Sequence, residues 1–302
     1  SFVRNDARRK VEGSVIAKAS ASEGDADEYL SLAGLDENPP PPREWIVENW
    51  LARGVVTCLF GGAGFGKTML AHKICLHVGN GVPLFGSAVA MGPVLAYFAE
   101  DDADELKRRQ LAILRSIGRT ARHSSEGIFL SSRVGKENAL MVPAQFQRVL
   151  YLTGFGMHVA SEVKRLQPAL LVLDNIAQLY GGLENDRFQV TQFVNTLSWI
   201  ALHNRCAVLL LGHVAKAEGS EFSGSTAWDA SVRARLWLER RMDGALELHR
   251  KKANYASRDS VTLEFEHGAL KEFSPGEHAV SMLAGEAERK ILSALEVFTA
   301  RQ

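Results

Sequence analysis

Four short, continuous apolar runs dominate the pattern of the central part of the chain: residues 55–60, 94–99, 169–173 and 207–211. Runs that do not alternate with polar positions are typical of strands buried on both faces of a parallel sheet. A small or polar residue follows each run at once: Gly61, Glu100, Asp174, and Gly212 with His213. Because parallel strands end at the same edge of a sheet, the pattern predicts that these residues gather at one edge.

Helical periodicity fills the intervals between the runs. Apolar side chains recur every three or four residues at Leu106, Ile113, Leu114 and Ile117, and again at Phe193, Leu197, Ile200 and Ala201. Such spacing places each set on one face of a helix. Strands and helices in alternation predict an α/β fold with a doubly wound, mainly parallel sheet. Beyond residue 234, the runs 235–239, 246–250 and 261–265, with Asp243-Gly244 as a turn, predict a C-terminal antiparallel extension of that sheet.

The distribution of polar residues and prolines predicts that the chain consists of three consecutive segments. Residues 1–42 form a polar arm that ends in four consecutive prolines, Pro39 to Pro42, which favour a stiff linker. The arm is either disordered or helical on a partner. Residues 43–275 carry the α/β domain, and residues 276–302 carry a helical tail whose pattern runs close to the chain end.

Composition narrows the class of protein. The 302 residues are 46% apolar and 23% charged, which is ordinary for a globular protein and excludes collagen, a disulfide scaffold and wholesale disorder. Cys58, Cys75 and Cys206 lie far apart, which favours buried free thiols in a reducing, cytoplasmic setting. The apolar runs are far shorter than the roughly 20 residues of a membrane-spanning helix, and the polar amino end shows no secretory signal.

The strongest chemical signal follows the first apolar run and matches the pattern G-x-x-x-x-G-K-[ST]. This P-loop consists of Gly61, Gly62, Ala63, Gly64, Phe65, Gly66, Lys67 and Thr68, and Met69 continues into a helical stretch. Its backbone N–H groups can all face a phosphate, and the helix that follows adds the positive end of its dipole. We predict that this stretch binds ATP, with Lys67 on the β- and γ-phosphates and the Thr68 hydroxyl on Mg²⁺.

Polar residues at the other strand ends complete the predicted site. Asp174 is suited to hold Mg²⁺ through water. Glu100 is placed to orient a water molecule in line with the γ-phosphate, while Asp101 or Asp102 caps the next helix. His213 is a candidate sensor of the γ-phosphate. Residues 215–226, rich in glycine and serine, follow His213 and either grip a DNA backbone or form an ordinary surface loop.

Cations near the antiparallel extension are candidates for a further catalytic role. In ring-forming ATPases an arginine of the adjacent subunit stabilises charge on the transferred phosphoryl group. Arg233, Arg235 and the pair Lys251-Lys252 are placed for such a role, and the alternative is that they are solvated ends of edge strands.

In this order the motifs resemble the RecA superfamily, and specifically the RepA-type hexameric helicase ATPases with their phage and plasmid relatives. The resemblance covers roughly residues 43–270 and rests on Arg43-Glu44-Trp45-Ile46-Val47, the P-loop, Tyr97-Phe98-Ala99-Glu100-Asp101, Leu171–Asn175, Leu211-Gly212-His213 and residues 224–233. It implies a RecA-like fold that binds ATP and Mg²⁺ and forms a homo-oligomer, a hexameric ring or a filament, with single-stranded DNA in the lumen.

The same resemblance assigns roles to the site residues. It implies Lys67 and Thr68 at the nucleotide and metal, Glu100 as catalytic base, Asp174 as metal ligand, His213 as sensor and Arg233 as the finger that acts across an interface. The family's Lys-x-Arg pair is absent, because Lys251-Lys252 is followed by Ala253, and this favours Arg233 over Lys251.

Two functions stay open at the level of sequence. The first is an ATP-hydrolysing motor on single-stranded DNA in phage or plasmid replication or recombination. The alternative is an ATP-switched assembly or helicase-loader module that binds a protein partner. The formal net charge is zero, from 35 cations and 35 anions, yet the cations concentrate in residues 107–122 and 233–252. A neutral chain can therefore still line a basic lumen, and we expect weak, salt-sensitive DNA binding that depends on assembly.

Overall fold

The structure is a computed structural model that describes residues 32, 34–124, 126–145, 147–213, 227–256 and 259–273. The chain divides into two units, with the boundary between Pro42 and Arg43. In the first unit, residues 34–37 form a turn, and the prolines at 39–42 belong to no helix or strand. The predicted tail at 276–302 lies outside the described residues, and the three-part domain division stays a prediction.

The second unit contains the regular elements. Its described helices are α1 (Lys67–Asn80), α2 (Ala103–Ser116), α3 (Gly154–Leu166), α4 (Ile176–Leu179), α5 (Arg187–His203) and α6 (Ala227–Ser231). Its described strands are β1 (Trp45–Val47), β2 (Leu51–Ala52), β3 (Val56–Gly61), β4 (Val94–Phe98), β5 (Ile128–Ser132), β6 (Met141–Pro143), β7 (Leu150–Leu152), β8 (Leu170–Asp174), β9 (Ala207–Leu211), β10 (Ala234–Arg240), β11 (Leu246–Ala253), β12 (Ser260–Glu266) and β13 (Ala269–Phe273). No helix among the described residues has both the length and the apolar character needed to cross a membrane.

One large sheet organises these elements, in the order β13-β12-β11-β10-β3-β9-β8-β4-β5. Along the sheet from β10 through β3, β9, β8 and β4 to β5, each neighbouring pair is parallel. The pairs β10–β11, β11–β12 and β12–β13 are antiparallel. The predicted α/β fold, a RecA-like mainly parallel sheet with an antiparallel extension, is therefore confirmed. The short pairs β1–β2 and β6–β7 form separate two-stranded sheets.

The central strands send alternate side chains into two apolar cores. In β8, Leu170 and Val172 join the core that contains Leu70 of α1. Leu171 and Leu173 join the second core, which contains Val163 of α3 and residues of α5. Both faces of the sheet are covered, so every position in such a strand must be apolar, which explains the continuous runs in the sequence.

The strand register aligns the carboxyl ends of the central strands. Phe98 of β4 lies opposite Asp174 of β8, and Asp174 lies opposite Leu211 of β9. Leu211 in turn lies opposite Leu59 of β3. The residues that follow these strands, including Glu100 and His213, are therefore brought to one edge of the sheet.

Candidate functional site

The P-loop connects the end of β3 with the beginning of α1. Gly64 and Gly66 have φ values of +73° and +89°, in the left-handed region that favours glycine. The N–H of Leu70 bonds the carbonyl of Gly66 at 2.8 Å, so helical hydrogen bonding begins within the loop. The helix N-terminus thus lies at the loop, as phosphate binding requires.

The antiparallel extension packs against the P-loop. A Cβ atom added to Gly66 would lie 2.8 Å from the ring of Phe265 in β12. The guanidinium of Arg240, at the end of β10, lies 5.6 Å from the ring centroid of Phe65. The sequence pattern predicted β10 and β12 only as an extension of the sheet. In the structure, both strands also contact the predicted phosphate-binding loop.

The Lys67 side chain lies across the loop and reaches the neighbouring strand end. Its Nζ donates to the carbonyl oxygens of Gly61 and Gly62, each at 2.9 Å, and lies 3.1 Å from Nδ1 of His213. Burial lowers the pKa of Lys67, while the negative charges of Asp174 and Glu100 act in the opposite direction. The ammonium is thus a buried positive charge within the predicted phosphate site.

Thr68 and Asp174 form the predicted metal-binding pair. The Thr68 hydroxyl donates to the Asp174 carboxylate, which is only 5% exposed. Burial, together with the nearby charges of Glu100 and Asp101, raises the pKa of Asp174 to about 7. The raised pKa follows mainly from burial, which disfavours the charged form of the carboxylate. Two hard oxygen donors in such surroundings fit a Mg²⁺ ion.

Asn175 connects the predicted base with the predicted sensor. It follows Asp174 across a cis peptide bond and is 1% exposed. Its Nδ2 donates to Oε1 of Glu100 at 2.7 Å and lies 3.2 Å from Nε2 of His213. Burial, and next the charge of Lys67, lower the pKa of His213, which favours the neutral imidazole. A continuous series of contacts therefore runs from Lys67 through His213 and Asn175 to Glu100.

The two acids after Glu100 have separate structural roles. Asp102 caps α2 by accepting from the N–H groups of Asp104 and Glu105, at 2.9 and 2.7 Å. Asp101 is buried and pairs with Arg109 at 2.9 Å. Of the two capping alternatives, Asp102 is the cap, and Glu100 stays exposed at the sheet edge.

The candidate finger residues differ in exposure. Arg233 lies just before β10 and is exposed, whereas Arg235 lies within β10 and is 8% exposed. Lys251 and Lys252 are half-buried in β11. Residues 214–226, which include the whole predicted DNA-gripping loop at 215–226 and its Gly224-Ser225-Thr226 segment, lie outside the described residues.

The sequence motifs assign no role to Asn175. Two signals could have found it: it directly follows a strand-ending aspartate at the ligand edge, and asparagine is a favoured residue at the start of a helix. The structure shows both properties, because Asn175 Oδ1 also accepts from the N–H of Gln178 at 3.3 Å and so caps α4.

Comparisons with known proteins show the family and the fold of the chain. The profile of a family described as "AAA domain" matches residues 23–219. Among solved structures, a KaiC-like protein of the hyperthermophilic archaeon Pyrococcus horikoshii superposes with a TM-score of 0.52 at 16% identity, covering 78% of this chain and 100% of that chain. At this identity the likeness concerns the fold alone, and no curated protein sequence matches. Since the family profile spans well over half of its length, the chain belongs to the AAA domain family of P-loop ATPases.

Proposed function

We propose that this protein is a Mg²⁺-dependent ATPase whose hydrolysis cycle drives a RecA-like motor on single-stranded DNA in phage or plasmid replication or recombination. The observation that carries the ATPase chemistry is the contact series Lys67–His213–Asn175–Glu100, which lies beside the Thr68–Asp174 pair at one sheet edge. These are the groups that phosphoryl transfer requires: a cation on the phosphates, oxygen ligands for a metal and a carboxylate for water.

Each side chain has a defined task in the proposed reaction. The P-loop amides and the Lys67 ammonium bind the β- and γ-phosphates. Thr68 and Asp174 would hold Mg²⁺, which supplies neutralising charge on the phosphate oxygens when it is bound. Glu100 uses the carboxylate oxygen that Asn175 does not occupy to orient a water molecule and accept its proton. The water oxygen then attacks the γ-phosphorus, and ADP leaves.

The proposal includes assembly into a ring or filament. Arg233 is the preferred finger because its exposure leaves it accessible to a neighbouring subunit, while Arg235 is buried within β10. The preference for single-stranded DNA rests on the resemblance of the motifs. It is also supported by the position of residues 214–226 directly after the sensor His213, which would let a bound γ-phosphate influence a loop that contacts DNA.

ATP turnover with and without single-stranded DNA tests the proposal. We expect DNA to raise the turnover rate or the nucleotide affinity, and the effect to fall steeply with salt. Glu100→Gln should retain ATP binding and lose turnover. If DNA leaves both rate and affinity unchanged in the assembled protein, the motor function on DNA is wrong. If Glu100→Gln turns ATP over normally, Glu100 is not the base.

The second candidate function is the ATP-switched module that binds a protein partner. The observation that favours it is the solvent-facing side of α5, where Phe188, Trp199 and Leu202 are 47%, 58% and 65% exposed. Phe188 and Trp199 also line a groove of about 480 Å³. ATP turnover that is insensitive to DNA, together with loss of partner binding in Trp199→Ser, would favour this function over the motor.

A further inference from the structure

We propose that Asn175 is a positioning residue that makes the orientation of Glu100 depend on occupation of the phosphate site, through the tautomer of His213. The inference rests on the proposed ATPase function and concerns the regulation of that same site. It follows from which atoms can donate and which can accept a hydrogen bond.

The orientation of the Asn175 amide is fixed by its role as a helix cap. Its oxygen accepts from the N–H of Gln178, so its NH₂ group must face the other way, towards Glu100 and His213. The side chain is 1% exposed and lies between the two, so it has no route to turn towards solvent. One N–H bonds Oε1 of Glu100, and the other is directed at Nε2 of His213.

His213 cannot satisfy both of its neighbours at once. A neutral imidazole has one nitrogen that carries a proton and one that accepts. Lys67 can only donate, and it lies 3.1 Å from Nδ1. The Asn175 NH₂ group can also only donate, and it lies 3.2 Å from Nε2. Only one of these contacts can therefore be a hydrogen bond at a time, and a doubly protonated ring would satisfy neither.

The competition defines two states of the site. While Lys67 donates to Nδ1, the ring proton resides on Nε2 and opposes the Asn175 amide, which weakens the hold of Asn175 on Glu100. When the Lys67 ammonium moves onto the phosphates, the ring exchanges protons with water. Nδ1 then carries the proton and Nε2 accepts from Asn175.

In the second state the Asn175 amide is held by three partners: Gln178, His213 and Glu100. Glu100 is exposed, so this amide restrains a side chain that would otherwise sample several rotamers. With Oε1 fixed, Oε2 is directed consistently at the attacking water. Occupation of the phosphate site thus aligns the base, so that Glu100 is in position only when nucleotide is bound.

The ¹⁵N shifts of His213 report the tautomer directly. The full chain is labelled with ¹⁵N-histidine, and the His213 signals are assigned by their absence in His213→Gln. We expect the Nε2–H tautomer without nucleotide and the Nδ1–H tautomer with Mg²⁺ and a non-hydrolysable ATP analogue. Lys67→Met should show the Nδ1–H tautomer without nucleotide. The same tautomer in all three samples would overturn the inference.

Asn175→Asp provides a kinetic test. Aspartate keeps an oxygen for the Gln178 N–H and nearly the same volume, but it cannot donate to Glu100 or His213. We expect kcat to fall about 10- to 100-fold, the effect of losing one hydrogen bond to a charged group, with an unchanged Kd for ATP. In the Glu100→Gln background the same change should have no further effect, because Asn175 acts through Glu100.

Controls separate this inference from the underlying function and from misfolding. Asn138→Asp makes the same chemical change at another buried asparagine, one that bonds Arg133, and should leave kcat unchanged. If Glu100→Gln loses turnover but Asn175→Asp retains it, the inference fails while the ATPase assignment stands. If Glu100→Gln retains turnover, the catalytic assignment itself fails. A thermal unfolding curve for each variant establishes that it is folded.

Discussion

The carbonyl oxygen of Leu238 lies 2.3 Å from the position that a Cβ atom of Gly61 would occupy. The two residues are partners in the parallel pairing of β10 with β3, at the point where the P-loop begins. The antiparallel extension therefore contacts the nucleotide site through backbone, and Gly61 is required there for space.

Gly61→Ala should both destabilise the fold and weaken nucleotide binding. The added methyl group meets a backbone carbonyl, so β10 and β3 must separate, and we expect a loss of about 1–3 kcal/mol in the free energy of unfolding. Urea unfolding and ATP titration measure the two effects. Gly154→Ala is the matched control, because a Cβ atom there has no neighbour within 4 Å. Equal stability of the two variants would show that the contact is not rigid.

Asp174→Asn should change how stability depends on pH. The pKa of Asp174 is about 7 in the folded protein against an ordinary value of 3.8, so between these values the folded protein keeps a proton that the unfolded chain has lost. Stability therefore falls as pH rises through this interval. Thermal unfolding from pH 4 to pH 8 should show a smaller fall for Asp174→Asn than for the wild type. Parallel curves would contradict the raised pKa.

The same substitution should remove most of the stabilisation that depends on Mg²⁺. At pH 8 we expect Mg²⁺ with an ATP analogue to raise the melting temperature of the wild type, because a ligand that binds only the folded state stabilises it. Asp174→Asn should lose most of the shift that depends on Mg²⁺. An undiminished shift would show that Asp174 does not hold the metal.

Glu272→Gln should destabilise the contact between α1 and β13. The buried Nζ of Lys73 donates to the carbonyl of Leu270 at 3.0 Å and lies 3.3 Å from Glu272. Removing the Glu272 charge leaves this ammonium without its counter-charge, and we expect a cost of about 1–3 kcal/mol in urea unfolding. Glu162→Gln breaks the surface ion pair of Glu162 with the exposed Arg165 and should cause no measurable change.

Subunit mixing tests whether Arg233 acts across an interface. Arg233→Ala subunits mixed with Lys67→Ala subunits should regain part of the turnover, because some interfaces then combine an intact finger with an intact P-loop. A mixture of Lys67→Ala with Glu100→Gln should show no recovery, since both residues lie in the site of one subunit. Absence of recovery in mixtures shown to co-assemble would remove Arg233 from this role.

Local pattern predicted the parallel strands closely. The run 207–211 is β9, and the run 94–99 differs from β4 by one residue. Burial on both faces demands apolar residues without interruption, so the signal was strong. The antiparallel strands β10 to β12 were found in the same way, with the turn at Asp243-Gly244, where Gly244 has a φ of +91°.

Other elements gave weaker signals. β5 is half-buried and neither alternating nor fully apolar, and β6 and β7 are only three residues each. Gly154 and Gly156 obscure the start of α3, which begins because Thr153 caps it by accepting from the N–H of Gly156. Short strands and glycine-rich helix starts depend on tertiary packing more than on propensity, so periodicity alone did not find them.

The sequence by itself determined the P-loop, the strand ends and the presence of Lys67, Glu100, Asp174 and His213 at one edge, because motif spacing and burial are local properties. Only the tertiary structure decided which of these residues touch. The sheet order β3-β9-β8-β4 places His213 between Lys67 and Asn175, and Asn175 between His213 and Glu100. Strand order is set by the packing of helices on both faces and not by the pattern of any one strand. Residues separated by 75 positions, such as Asn175 and Glu100, therefore meet for reasons that no local signal carries.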